Sequence, residues 1–159
     1  MLPPSMITTS MARRKISDAR RVVFLDTGYL VAVVSPKDNL HDLAVAWAPA
    51  VRGRLLVTEY VIVEFVNQLS TGMGRPHAHA LVDIMSADPR YVVLEASPLL
   101  FSAGLELHRN RSDKEWSLTD CISFNVMRAR GITAALTHDY HFVQAGFEAL
   151  LRSAPPSTP

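Results

Sequence analysis

Four short apolar runs, separated by longer stretches with helical spacing, set the expected architecture. Val22 to Leu25, Leu55 to Val57, Tyr91 to Leu94 and Ile132 to Leu136 are continuous and mostly branched or aromatic. Such runs suit strands buried on both faces, because no polar face has to alternate with the apolar one. Helices are expected over Thr27 to Val34, about Leu40 to Trp47, Glu59 to Ser70, Pro76 to Ser86, Pro98 to about His108, and Ser117 to Arg130. Ser35-Pro36 stops the first. Asp38 or Asn39 can cap the second, with Pro49 beyond its end. Thr58 can cap the third, which Thr71-Gly72-Met73-Gly74 stops. Pro76 sits in the first turn of the fourth, where a missing N–H costs least. Phe147 to Leu151 reads equally as extended or helical. Strands alternating with helices predict an α/β fold: a central parallel sheet of four to five strands, covered on both faces.

Four carboxylates break this pattern. Asp26 closes the run Val22 to Leu25, and Asp139 follows the run Ile132 to Leu136. Glu64 interrupts Tyr60-Val61-Ile62-Val63 and Phe65-Val66, and Asp120 stands before Cys121-Ile122-Ser123-Phe124. Each has an ordinary explanation. Asp26-Thr27-Gly28 is good turn chemistry. Ser117-Leu118-Thr119-Asp120 has the form of a capping box, although glutamate is the commoner partner. Glu64 shares a helix face with Tyr60, Asn67, Gln68 and Thr71, which solvent alone would explain. Asp139 suits a turn. Topology favours a joint explanation, since ligands bind beyond the carboxyl ends of parallel strands, where strand order reverses. Asp26 and Asp139 both occupy such ends.

Composition narrows the setting. A chain of 159 residues fits one domain of the usual ~100–150 residues. With 48% hydrophobic and 19% charged residues it can build a core. The net charge of +1 announces no nucleic-acid binder, although a local basic surface remains compatible with it. The single cysteine, Cys121, forbids an intrachain disulfide. No apolar run approaches the ~20 residues that span a bilayer, so a soluble, cytoplasmic protein is expected. Residues 1–20 read as a flexible basic leader, with a transit peptide as the minority alternative. Residues 21–151 read as the globular domain, and 152–159 as a disordered, proline-rich tail.

The order of motifs resembles a PIN domain, and within that group the VapC-type toxins of bacterial toxin–antitoxin pairs. The matching pieces are Phe24-Leu25-Asp26-Thr27, Val63-Glu64-Phe65, the stretch Asp113 to Phe124, and Thr137-His138-Asp139-Tyr140-His141-Phe142 with Ala145-Gly146-Phe147. Together they cover roughly residues 21–151, and the last two blocks are the most specific. The leader departs from a family that usually begins almost at its first strand. The resemblance implies a PIN-like three-layer α/β/α fold and an endoribonuclease that hydrolyses RNA by in-line attack. Its partners would be a small antitoxin whose tail occupies the acidic groove, and a second copy of the chain in a homodimer. A stand-alone PIN-like RNA-processing or RNA-binding protein is the alternative.

Carboxylate and water ligands suit Mg²⁺ or Mn²⁺ better than zinc, and the histidines do not form an HExxH pattern. Asp26, Asp120 and Asp139 are expected to give most of the inner coordination, with Glu64 holding a second ion or its water. Thr27, Thr119 and Thr137 lie beside these acids and can orient them or bind phosphate, or simply cap turns. Arg109, Arg111 and Lys114 can track an RNA backbone, whereas Asp113 is peripheral and can pair with Arg111 or Lys114. Trp116 is expected to pack beneath its loop, and Cys121 to be a small buried residue. His138 and His141 flank Asp139, but without a partner at zinc spacing they read as substrate contacts or surface. A phosphoaspartyl enzyme is disfavoured: a haloacid-dehalogenase-type site wants a second Asp where Gly28 stands.

Overall fold

The structure, a computed structural model, describes residues 21–156. Five strands, β1 (Val22–Leu25), β2 (Arg54–Thr58), β3 (Tyr91–Leu94), β4 (Ala134–Leu136) and β5 (Glu148–Ala149), form one sheet. Their order is β3-β2-β1-β4-β5, and every neighbouring pair is parallel. The helices are α1 (Thr27–Val34), α2 (His41–Ala50), α3 (Glu59–Gln68), α4 (Gly74–Ala87), α5 (Pro98–Asn110), α6 (Leu118–Ala129) and α7 (Tyr140–Gln144), with a final 3-10 turn at Leu150–Arg152. The α/β fold and the parallel sheet are as expected from the sequence.

Strand order explains the layers. Crossovers between parallel strands are right-handed, so stepping from β1 to β2 to β3 lays α1–α4 on one face. The chain then returns past β1 to β4 and β5, which lays α5–α7 on the other. Packing largely follows the same division: α1 contacts α2, α3 and α4, and α6 contacts α5 and α7, while α3 and α6 also meet across it. Phe24, Leu25, Leu55, Leu56, Val57 and Leu136 fill the sheet layer between them. On the second face Phe124 stands edge-on to Phe142 at 5.0 Å, and Trp116 edge-on to Phe124 at 5.0 Å. Truncating a buried phenylalanine such as Phe124 to alanine costs about 3–5 kcal/mol.

Several boundaries differ from the sequence reading. Pro49 lies inside the last turn of α2 rather than beyond it; it is exposed there, and a proline so near a helix end removes only one intrahelical bond. Neither Asp38 nor Asn39 caps that helix: Leu40 is the N-cap. Asp38 instead accepts the Leu40 N–H at 2.8 Å, closing the turn before it. The stretch after Asp139 is a short helix, α7, not a bare turn. Five residues are too few for periodicity to reveal. Phe147 to Leu151 proves to be both alternatives in succession, β5 and then a 3-10 turn. That turn includes Arg152, and Trp47 Nε1 donates to the Ser153 carbonyl at 2.9 Å. The expected leader, residues 1–20, lies outside the described residues, as do residues 157–159 of the tail.

Candidate active site

Strands β1 and β4 end side by side, with Leu25 in register with Leu136. The next residue on each chain is polar, and the two meet: Thr137 Oγ1 donates to Asp26 Oδ2 at 2.7 Å. The Asp26 N–H in turn donates to the Leu136 carbonyl at 3.3 Å. This is the point where strand order reverses, because the chain leaves β1 toward β2 and comes back at β4. Thr137 also accepts the Asp139 N–H at 3.0 Å. One hydroxyl therefore ties Asp26 to the segment carrying Asp139.

Asp120 arrives from the other helical layer. The capping box read from the sequence is present: Ser117 Oγ accepts the Asp120 N–H at 3.0 Å, and Asp120 Oδ2 accepts the Ser117 N–H at 2.9 Å. Capping leaves the carboxylate able to serve the site as well, since it is set at the positive end of α6. Asp139 is the N-cap of α7, accepting the His141 N–H at 2.8 Å. That turn swings the His141 ring back, so Nδ1 lies 3.1 Å from Asp120 Oδ2 and 3.4 Å from Asp139 Oδ2. Ligand atoms of Asp120, Asp139 and His141 lie within 4.8 Å of one another.

Electrostatics mark the same place. Burial pushes the Asp26 carboxyl up from 3.8 to about 7; the Thr137 hydrogen bond opposes this, and the charges of Asp120 and Asp139 add to it. Asp120 and Asp139 meet at the cluster, and Asp26 stands outside it but within reach of both charges. Like charges so placed repel, and a hard divalent cation would relieve that repulsion. The donor set is mainly carboxylate oxygen, which fits such an ion.

The other expected residues distribute differently. Glu64 is joined to the site through Thr27, whose hydroxyl donates to Glu64 Oε2. It lines a groove between α3, α5 and α6 together with Ile62, Val63, Phe101, Thr119 and Ile122. Arg111 pairs with Asp113 through two bonds of 2.8 and 2.9 Å and lies over the Trp116 ring at 4.7 Å. That pairing holds the Asp113 carboxyl down at about 2. Lys114 approaches Asp113 at 3.9 Å, and Arg109 is exposed in the last turn of α5. Trp116 is buried, and burial pushes the Cys121 thiol up. His138 is exposed. His141, expected as a substrate contact or surface residue, stands in the Asp120–Asp139 cluster; the signal for that place in the sequence is its position two residues beyond Asp139.

A PIN domain family model matches residues 23–148. The chain belongs to the PIN domain family. This PIN domain is similar in structure to the toxin VapC20 of Mycobacterium tuberculosis, described as cleaving the sarcin-ricin loop. The TM-score is 0.73 at 26% identity, over 79% of this chain and 95% of that one. VapBC2 from Rickettsia felis, solved with a DNA fragment from its promoter, matches at TM-score 0.56 and 14% identity, over 80% and 96% of the two chains. FitAcB from Neisseria gonorrhoeae matches at TM-score 0.57 and 16% identity, over 80% and 94%. The last two support the fold alone. No curated protein matches the chain in sequence. Among the described residues no helix is long and apolar enough to cross a membrane.

Proposed function

We propose that the chain is a Mg²⁺- or Mn²⁺-dependent endoribonuclease and the toxin of a VapBC-type toxin–antitoxin pair, acting on cytoplasmic RNA. The observation that supports this reading is the meeting of Asp120 and Asp139 beyond β4, with the charges of both acting on the buried Asp26 at the end of β1. The likeness to a toxin described as cleaving the sarcin-ricin loop supports RNA as the substrate class.

Asp26, Asp120 and Asp139 would hold the cation, with Glu64 at the edge of the site. A divalent cation held there supplies water activation and stabilises the leaving oxygen of a phosphodiester. The protein contributes fixed geometry. Thr137 holds one Asp26 oxygen, the Ser117 N–H holds one Asp120 oxygen, and Thr27 orients Glu64. Carboxylates positioned in this way need little rearrangement when charge develops in the transition state. Of the roles open to Thr27 and Thr137 from the sequence, the hydrogen bonds to Glu64 and Asp26 support orienting the acids.

The partners proposed with this activity are a small antitoxin and a second copy of the chain. The likeness to VapC20, described as a toxin, at 26% identity supports the toxin role and with it an antitoxin partner. Exposed Val63 on α3 and Leu99 and Phe101 on α5 give a homodimer an apolar surface to bury. The test of the activity is incubation of single-stranded and ribosomal RNA with the purified chain. Fragments should form with Mg²⁺ or Mn²⁺ and not with chelator. Intact RNA under every metal condition, from folded protein, would refute the nuclease reading.

A further inference from the structure

His141 shares a candidate metal-ligand cluster with the carboxylates of Asp120 and Asp139, and what it does there rests on the metal-dependent reading above. Its Nδ1 stands 3.1 Å from Asp120 Oδ2 and 3.4 Å from Asp139 Oδ2. Neighbouring ligands on an octahedral cation with bonds of about 2.0–2.1 Å are separated by about 3.0 Å. The two separations are thus close to those of atoms sharing adjacent corners of one coordination sphere. We propose that His141 Nδ1 is an inner-sphere ligand of the cation, which makes the centre a mixed nitrogen–oxygen site that prefers Mn²⁺ to Mg²⁺.

The placement of the ring is built into the fold. The His141 N–H is fixed on the Asp139 side chain at 2.8 Å. Phe142, the next residue, is fully buried against Phe24 and Phe124 and anchors α7 to the core. Across the cluster, the Ser117 N–H fixes the Asp120 oxygen that faces the ring. Both sides of the contact therefore belong to packed elements. A hydrogen bond from Nδ1–H to the carboxylates is the competing role, and it leaves the ring outside the inner sphere. Coordination instead places the ring proton on Nε2 and leaves the Nδ1 lone pair for the ion. Mg²⁺ takes oxygen ligands and keeps its waters, so an imidazole nitrogen adds little for it; a transition ion gains from the same nitrogen.

Electron spin-echo modulation of the full-length protein loaded with Mn²⁺ tests this without reference to activity. A nitrogen-14 coupling characteristic of a bound imidazole is expected in the wild type. It should be lost in His141→Gln and kept in His138→Gln. Calorimetry should show the Mn²⁺ affinity of His141→Gln reduced by about tenfold or more, with Mg²⁺ affinity changed much less. Tight Mn²⁺ binding by the wild type with no nitrogen coupling would overturn the assignment and leave the nuclease reading standing. So would a coupling that survives in His141→Gln. Absence of any Mn²⁺ binding would overturn both.

Discussion

Thr137 and Asp26, 111 positions apart in sequence, are joined by a 2.7 Å hydrogen bond at the ends of adjacent parallel strands. Thr137 is fully buried and also accepts the Asp139 N–H at 3.0 Å. Replacing it with valine keeps the shape and removes both bonds. Thr137→Val should lose about 1–3 kcal/mol of stability in urea unfolding and bind Mn²⁺ about 10–100-fold more weakly. Thr137→Ser should recover most of the metal affinity. Unchanged affinity in Thr137→Val would show that the acids do not need this bridge.

Asp26 predicts a pH dependence for the metal-free protein. Its carboxyl lies at about 7 in the folded state against 3.8 in the ordinary range, chiefly because it is buried. Between those values the folded state holds a proton that the unfolded chain has released. Stability should therefore fall as pH rises from about 4 to 7, then level off, with a total loss on the order of 4 kcal/mol. Asp26→Asn should flatten that slope and raise the melting temperature above pH 7. Saturating Mg²⁺ or Mn²⁺ should do the same for the wild type only. A wild-type slope equal to that of Asp26→Asn would contradict the buried-acid account.

Gly104 bears on how α5 and α6 meet. A Cβ there would stand 2.2 Å from Ile122 Cγ1 and 3.3 Å from the Ile122 Cα. Gly104→Ala should cost about 1–3 kcal/mol through overpacking, even though alanine favours a helix by about 1 kcal/mol. Ile122 lies two residues past Asp120, so metal affinity should fall as well. A more stable variant in thermal unfolding would show that α5 can move aside.

The basic loop divides into two kinds of cation. Arg111 is already paired with Asp113 and covers Trp116, whereas Arg109 is exposed. In an Asp26→Asn background, in which cleavage is expected to be lost, Arg109→Gln should weaken RNA binding and lower its salt slope by about 0.7. Arg111→Gln should change that slope less. Equal slopes for both variants and their parent would exclude the loop from the RNA path.

The apolar surface of α3 and α5 gives a simple test of assembly. Val63→Glu combined with Phe101→Glu should convert a dimer into a monomer by light scattering. Both side chains are exposed in the single chain, so folding should be preserved. A dimer that persists would place the interface elsewhere.

Much of this arrangement was legible because burial on both faces leaves continuous runs. Val22 to Leu25 is β1 at its expected bounds, whereas Tyr91 to Leu94, β3 at its expected bounds, is half-buried at the sheet edge and still reads as a continuous run. Asp26 and Asp139 could be placed together because parallel topology puts strand ends at one edge. The cap on Asp120 was legible from four residues. Less legible were features that depend on distant partners. Glu64 presents an ordinary polar helix face, and only the Thr27 hydroxyl links it to the site. His141 gained its position from α7, a helix of five residues whose one buried side chain, Phe142, gives no period to read. The pairing of Arg111 with Asp113 is local and is one of the two pairings that the sequence offers Asp113.

The central claim is that Asp26, Asp120 and Asp139 form one cation site. Calorimetric titration of Mn²⁺ into the wild type and into the Asp26→Asn, Asp120→Asn and Asp139→Asn variants tests it most directly. Saturable binding should appear in the wild type, and each substitution should weaken it by tenfold or more while the protein stays folded. Binding of equal strength in all four proteins, or in none, would contradict the claim.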